Sequence, residues 1–132
     1  MTIVVGYVST KEGEAALERA FEECLLRKED LVVIHSDRGG AGISGDSIRK
    51  SEEDLRQVHA RLEDAGVKGE VRGLVRGKEP AEDLIVVAEE TKASLIIIGL
   101  RKRTPVGKLI LGSNAQRVLL DAPCDVLAVK AR

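Results

Sequence analysis

Four short segments of the chain are continuously apolar and rich in β-branched residues. They span residues 2–5, 31–34, 95–98 and 126–129, and polar residues or glycine bound each of them. A strand with one solvated face alternates apolar and polar residues, whereas a strand covered by helices on both sides does not. The pattern therefore predicts four strands of a parallel sheet that is buried between two layers of helices.

A fifth segment, residues 70–75, alternates more clearly. Val71 and Val75 would lie on one face of a strand there, and Arg72 on the other. A charged side chain within a strand suits the border of a sheet better than its centre. We therefore predict that this segment is an edge strand.

Amphipathic segments fill the gaps between the predicted strands. Their caps and apolar stripes predict four helices. The first runs from Ser9 or Thr10 to about Arg27, the second from Asp46 or Ser47 to about Asp64, the third from near Glu79-Pro80 to about Thr91, and the fourth from Ser113 to a residue before Pro123. The stripe of the first helix is predicted to bury Ala16, Leu17, Ala20, Phe21, Cys24 and Leu25.

Strict alternation of strands and helices favours right-handed βαβ crossovers within one parallel sheet. The length of 132 residues suits one domain. We therefore predict a single α/β domain over residues 1–132, with a five-stranded Rossmann-like sheet in the order 3-2-1-4-5 and helices on both faces. In such a sheet, ligands bind beyond the carboxyl ends of the strands, where the strand order reverses.

Composition excludes several classes of protein. The 21 basic and 22 acidic residues nearly cancel, so nothing in the overall charge indicates a nucleic-acid partner. No apolar run approaches the roughly 18 residues of a membrane span. The first residues lead straight into a strand without the charged and apolar regions of a signal peptide, so we expect a cytoplasmic protein. Cys24 and Cys124 form neither a disulfide framework nor a metal site, and we expect both to be structural.

The stretch after the fourth predicted strand is the strongest candidate for a site. It begins at Gly99, carries four basic residues that include Lys102, and ends with Gly112 and Ser113 at the start of a helix. Glycine lets a phosphate approach the backbone closely, and a helix N-terminus offers free N–H groups. An anion site and an ordinary loop with solvated basic residues both fit this pattern.

The spacing of Gly99, Gly112 and Ser113 also matches the glycine pattern that follows the fourth strand of universal stress proteins. The ending over residues 122–130 is similar to that family too, and the likeness extends weakly over the whole chain. The sequence therefore resembles a universal stress protein. Two departures are evident: Lys102 replaces a glycine of the pattern, and Val8 stands where nucleotide-binding members have an aspartate.

This resemblance implies a small stress-responsive or regulatory protein that binds an adenine nucleotide, ATP or AMP, without strong catalysis. The implied binding residues are Gly99, Gly112 and Ser113, and we expect Lys102, which departs from the pattern, to contribute a point charge on the phosphate. Mg²⁺ is expected only with ATP. No catalytic set and no metal-ligand spacing is evident in the sequence. Two alternatives stay open: an interaction module with no bound nucleotide, which the two departures favour, and a weak ATP-hydrolysing enzyme.

Two further features complete the sequence-based picture. The motif GxGxxG over residues 40–45 does not follow its strand directly, so we interpret it as a crossover loop rather than a dinucleotide site.

The last strand, from Val126 to Val129, is expected at an edge of the sheet with three residues after it. An apolar edge strand tends to pair with another chain, and universal stress proteins commonly dimerise in this way. We therefore expect a homodimer.

Overall fold

The computed structural model describes residues 1–8, 10–36, 45–74, 80–100 and 112–131. Strands and helices alternate along the chain in the predicted order. The strands are β1 (Thr2–Tyr7), β2 (Asp30–Ser36), β3 (Gly69–Leu74), β4 (Leu95–Leu100) and β5 (Asp125–Lys130). The helices are α1 (Lys11–Arg27), α2 (Gly45–Ala65), α3 (Pro80–Thr91) and α4 (Ser113–Asp121).

The five strands form one parallel sheet in the order β3-β2-β1-β4-β5, which confirms the predicted fold. The chain winds outward from β1 to β3 and then returns to place β4 on the other side of β1. Ile3 therefore pairs with Leu31 on one side and with Leu95 on the other. The strand order reverses between β1 and β4, and a cleft is expected at the carboxyl ends of these two strands.

Two hydrophobic layers enclose the sheet, because alternate residues of each strand face opposite sides. On the first side, Ile3 and Val5 pack with Leu17 of α1 and Leu62 of α2. On the second side, Val4 of β1 belongs to the layer that α3 and α4 cover; its other members include Val32, Leu84, Val87, Ile96 and Val118. Burial of both faces explains why the central strands are continuously apolar in sequence.

Local signals place most helix boundaries. Thr10, rather than Ser9, caps α1, and Gly66 follows α2 with φ of +73°, a conformation that glycine adopts without a steric penalty. The prediction for Leu25 was wrong, because its side chain is 56% exposed. Helical residues advance by about 100°, so Leu25 lies a further step around α1 from the buried Cys24 and leaves the apolar stripe. None of the helices within the described ranges is long and apolar enough to cross a membrane.

Candidate functional site

A cleft of about 310 Å³ opens at the carboxyl ends of β1 and β4, where the strand order reverses. The first residues of α1, α3 and α4 border it. Its apolar wall includes Ile34, Leu84, Ile98 and Val118, and its polar groups include Glu12, Ser113 and Asn114. A small concave site with an apolar wall and a few polar groups is typical of small-molecule binding.

Close packing of the main chain shapes one side of this cleft. A Cβ atom on Gly13 would collide with the carbonyl oxygen of Val8, and a Cβ atom on Gly99 would collide with that of Glu12. Glycine at these two positions therefore lets the start of α1 fold against the ends of β1 and β4. Packing within the fold therefore explains why glycine is needed at position 99, independently of any ligand in the cleft.

Gly112 differs from Gly99 in this respect. A Cβ atom there would meet no heavy atom of the described residues within 4 Å, and its φ of −66° suits any residue. Neither packing within the described residues nor backbone conformation requires glycine at position 112. Gly112 lines the cleft, where a bound molecule could approach the main chain closely.

In contrast to the start of α1, the start of α4 has no side-chain cap. Gly112 is its N-cap and offers no side-chain acceptor, whereas the hydroxyl of Thr10 accepts a hydrogen bond of 3.1 Å from the Gly13 amide at the start of α1. The first turn of α4 has no acidic residue, while α1 and α3 each have two. Uncapped amides and the positive end of the helix dipole favour an anion here.

Glu12 of α1 also lines the cleft. Among the lining side chains that the structure describes, it alone carries a charge. Val8 also lines the cleft and is 39% exposed, so the end of β1 contributes an apolar surface there. The described lining thus combines one acidic group near α1 with one uncapped helix start at α4.

A polar network supports the wall of the cleft from behind. Tyr7 lines the cleft, and its hydroxyl donates a hydrogen bond of 2.7 Å to Oε1 of Glu14. Arg61 of α2 donates to Oε2 of the same carboxylate at 2.8 Å. Partial burial raises the pKa of Glu14, but the hydrogen bonds from Tyr7 and Arg61 and the charge of Arg61 outweigh it and leave the pKa below 4.5.

His35 and the cysteines lie apart from the described lining. His35 is buried, with its ring 5.8 Å from that of Tyr7 and its Nε2 4.0 Å from Oδ2 of Asp54. Burial is the main cause that raises the pKa of the Cys24 thiol to about 12, and burial also raises that of Cys124. A search of the described residues finds no group of three His, Cys, Asp or Glu side chains that could hold a metal ion.

The structure brings three of the four sequence-predicted site residues together. Gly99, Gly112 and Ser113 all line the cleft, whereas Lys102 lies outside the described residues. Sequence reasoning missed Glu12 and Asn114. Asn114 could have been found, since it directly follows Ser113 in the first turn of α4. Glu12 had no comparable signal, because an acidic residue in the first turn of a helix is common in any protein.

Known proteins are similar to this chain over nearly its whole length. The model of the Universal stress protein family matches residues 1–130. A universal stress protein from Mycolicibacterium smegmatis is 44% identical over 128 residues, which are 97% of this chain and 96% of that protein.

Two solved structures of universal stress proteins from Archaeoglobus fulgidus are also similar. One is 40% identical with a TM-score of 0.83 and covers 98% of both chains. The other, in complex with dAMP, is 34% identical with a TM-score of 0.78 and also covers 98% of both chains.

Proposed function

Since this chain belongs to the universal stress protein family, we propose that it binds an adenine nucleotide in the cleft between α1, α3 and α4. The observation that carries this proposal is Gly112, which lines the cleft at the start of α4, has no side-chain cap and has no heavy atom of the described residues within 4 Å of a Cβ placed on it. A phosphate can approach the main chain there and accept hydrogen bonds from the free amides. The relative from Archaeoglobus fulgidus that binds dAMP supports the choice of an adenine nucleotide.

In this arrangement the phosphate contacts Gly112, Ser113 and Asn114, and the apolar wall near Leu84 and Val118 faces the rest of the nucleotide. AMP and ATP are the two candidates, and Mg²⁺ enters only with ATP. The protein would act as a cytoplasmic stress-response or regulatory protein.

Lys102 is proposed as the chief side-chain contact with phosphate, because it brings a positive charge into the stretch between Gly99 and Ser113. Lys102→Ala should then weaken nucleotide binding roughly tenfold to a hundredfold, the scale of a hydrogen bond to a charged group. Stronger ATP binding by Lys102→Gly would instead show that the lysine blocks the cleft.

Two experiments test the proposed ligand. Mass analysis of small molecules released when the purified protein is denatured should detect an adenine nucleotide. Calorimetry on nucleotide-free protein should show binding of AMP or ATP that the double variant Gly112→Val/Ser113→Ala abolishes. The matched control is Leu120→Ala, since Leu120 lies on the same helix but is 82% exposed and absent from the described lining. Equal affinity in the wild type and the double variant would place the site elsewhere.

A homodimer is the second part of the proposal, and the outer edge of β5 favours it. Within the described residues β5 pairs with β4 on one side, and its other side borders a broad open groove beside α1. A two-fold axis normal to the sheet would pair β5 with its copy in antiparallel fashion. Such an axis places each face of one sheet next to the same face of its copy. Leu127 and Val129 would therefore meet their copies on the face that α1 covers, and Val126 and Ala128 would meet theirs on the face that α4 covers.

Weak hydrolysis of ATP is the remaining alternative, and Glu12 is the observation that favours it. The side chain of a glutamate that lines the cleft could accept a proton from an attacking water molecule. A phosphate-release assay with Mg²⁺ and ATP separates an enzyme from a binding protein. Release that Glu12→Gln abolishes would identify an enzyme, and no release above the buffer rate would favour the binding protein.

A further inference from the structure

Helix α4 is held to the rest of the domain by few buried side chains. Of its nine residues, all of which the structure describes, Val118 alone is buried, whereas α1 and α3 each bury five residues. Ala115 is only partly buried against the same apolar layer. Within the described residues, α3 is the main element that α4 packs against. The position of α4, and with it that of the cleft at its start, therefore depends on its contacts with α3.

An ion pair joins these two helices. Nη1 of Arg117 on α4 donates a hydrogen bond of 2.7 Å to Oε1 of Glu82 in the first turn of α3. The two side chains are 43% and 36% exposed, so the pair is too solvated to contribute much to the stability of the whole domain. The same guanidinium lies 3.8 Å from Asp121, but that contact stays within α4. The bond to Glu82 is the one that connects α4 to its neighbour.

The pair stands beside the cleft without entering the described part of it. Ala81 and Val118 line the cleft, whereas their chain neighbours Glu82 and Arg117 are absent from the described lining. The pair thus connects the α3 side of the cleft to the α4 side from outside. Its loss would free the uncapped start of α4 to move relative to the apolar wall at Leu84.

We propose that the ion pair between Glu82 and Arg117 positions α4 and thereby holds the cleft in the form that binds nucleotide. A site that is held in place before its ligand arrives does not lose affinity to the ordering of its own parts. Glu82 and Arg117 are therefore positioning residues, which act through α4 and not through contact with the ligand. The inference rests on the proposed binding of an adenine nucleotide.

The direction of the effect at Glu82 separates positioning from simple electrostatics. AMP is an anion, so removal of a nearby negative charge would by itself strengthen its binding. Loss of the ion pair should instead weaken binding, because α4 is then held less firmly. Glu82→Gln should lower the affinity for AMP about twofold to fivefold, the scale of an exposed ion pair. Asp121→Asn is the matched control, since it removes the other carboxylate near Arg117, and it should leave the affinity equal or slightly higher.

Calorimetry with AMP on the wild type, Glu82→Gln, Arg117→Gln and the double variant measures the coupling of the two residues. The double variant should bind AMP no more weakly than Arg117→Gln, because Glu82 has lost its guanidinium partner once Arg117 is replaced. Hydrogen exchange followed by mass spectrometry tests the same link without a ligand. The amides of α4 should exchange about twofold to fivefold faster in Glu82→Gln than in the wild type, while those of α1 stay unchanged.

Three results would overturn the positioning role while nucleotide binding stands. They are equal or stronger binding of AMP by Glu82→Gln, additive losses of affinity in the double variant, and an unchanged exchange rate of the α4 amides in Glu82→Gln. A wild type that binds neither AMP nor ATP would refute the proposed function, and with it the role of this ion pair in binding.

Discussion

Tyr7 and Glu14 are joined by a hydrogen bond of 2.7 Å that connects the end of β1 to the first turns of α1. Because Arg61 of α2 donates to the other oxygen of the same carboxylate, three elements meet at one side chain. Glu14 therefore links the wall of the cleft to a helix that contributes none of the described lining. The network ties the geometry of the proposed site to the stability of the domain.

The Glu14 network predicts a pH-dependent loss of stability. The pKa of Glu14 is lowered from 4.5 in the folded protein, so the folded state binds this proton less readily than the unfolded state. The ionised Glu14 side chain contributes its full stabilisation at pH values above its pKa in the unfolded state. That stabilisation is lost as the pH falls through the lower pKa of Glu14 in the folded state. Glu14→Gln should thus lower the free energy of unfolding at pH 7, and its difference from the wild type should shrink as the pH falls below about 4.5.

Urea denaturation followed by circular dichroism, repeated between pH 7 and pH 3, measures this difference. Glu70→Gln is the control, because Glu70 pairs with Arg72 on the exposed surface of an edge strand and should change stability by about 0.5 kcal/mol or less. If the difference between Glu14→Gln and the wild type stays constant over this range, Glu14 does not titrate with folding.

Gly99 and Gly112 should respond in opposite ways to an added side chain. Gly99→Ala should destabilise the protein by about 1–3 kcal/mol, because its Cβ atom collides with the main chain of Glu12. Gly112→Ser should leave stability unchanged or raise it by up to about 1 kcal/mol, because serine can cap α4. The new cap would occupy the amides offered to phosphate, so nucleotide affinity should fall despite the unchanged fold.

Thermal unfolding and calorimetry on the two glycine variants measure stability and affinity separately. Wild-type stability in Gly99→Ala would show that the α1 start can move away from β4. Undiminished affinity in Gly112→Ser would remove the main support for a phosphate at α4.

Both thiols should react slowly with iodoacetamide while the protein is folded. The thiolate is the reactive form, and a pKa of about 12 leaves Cys24 ionised in roughly one molecule in ten thousand at pH 8. Cys124 is half-buried with a raised pKa, so it should react before Cys24 but more slowly than free cysteine. Mass spectrometry of time points, with protein unfolded in urea as the control, gives both rates. Rapid labelling of Cys24 in the folded state would contradict its structural role.

Proline substitution at two neighbouring positions of β5 tests the proposed dimer. In a parallel strand, successive residues direct their N–H groups to opposite sides, so one of Leu127 and Ala128 faces β4 and the other faces the free edge. Leu127→Pro and Ala128→Pro should therefore differ. The variant that loses the N–H facing β4 should unfold more easily, and the variant that loses the N–H facing the free edge should fold but not form the dimer. Equilibrium sedimentation at micromolar concentration measures the mass. A wild type that already sediments as a 14.2 kDa monomer refutes edge pairing.

Local patterns in the sequence were sufficient to predict the strand order, the edge positions of β3 and β5, and the cap and end residues of most helices. These features depend on periodicity, caps and glycine positions within a few residues, which a single chain displays directly. The spacing from Gly99 to Ser113 located the candidate site for the same reason. Within the described residues, the face of α1 was misjudged at Leu25, where one step of about 100° separates a buried residue from an exposed one.

The tertiary structure alone decided which of these residues meet. The contact between Glu12 and Gly99 joins the first helix to the fourth strand, and the Glu14 network joins Tyr7 to Arg61 across three elements. It also separated Gly99, which packing requires, from Gly112, where a Cβ atom would meet none of the described residues. A sequence pattern does not contain such distinctions, because they depend on how closely distant segments approach one another once the sheet and its helices have packed.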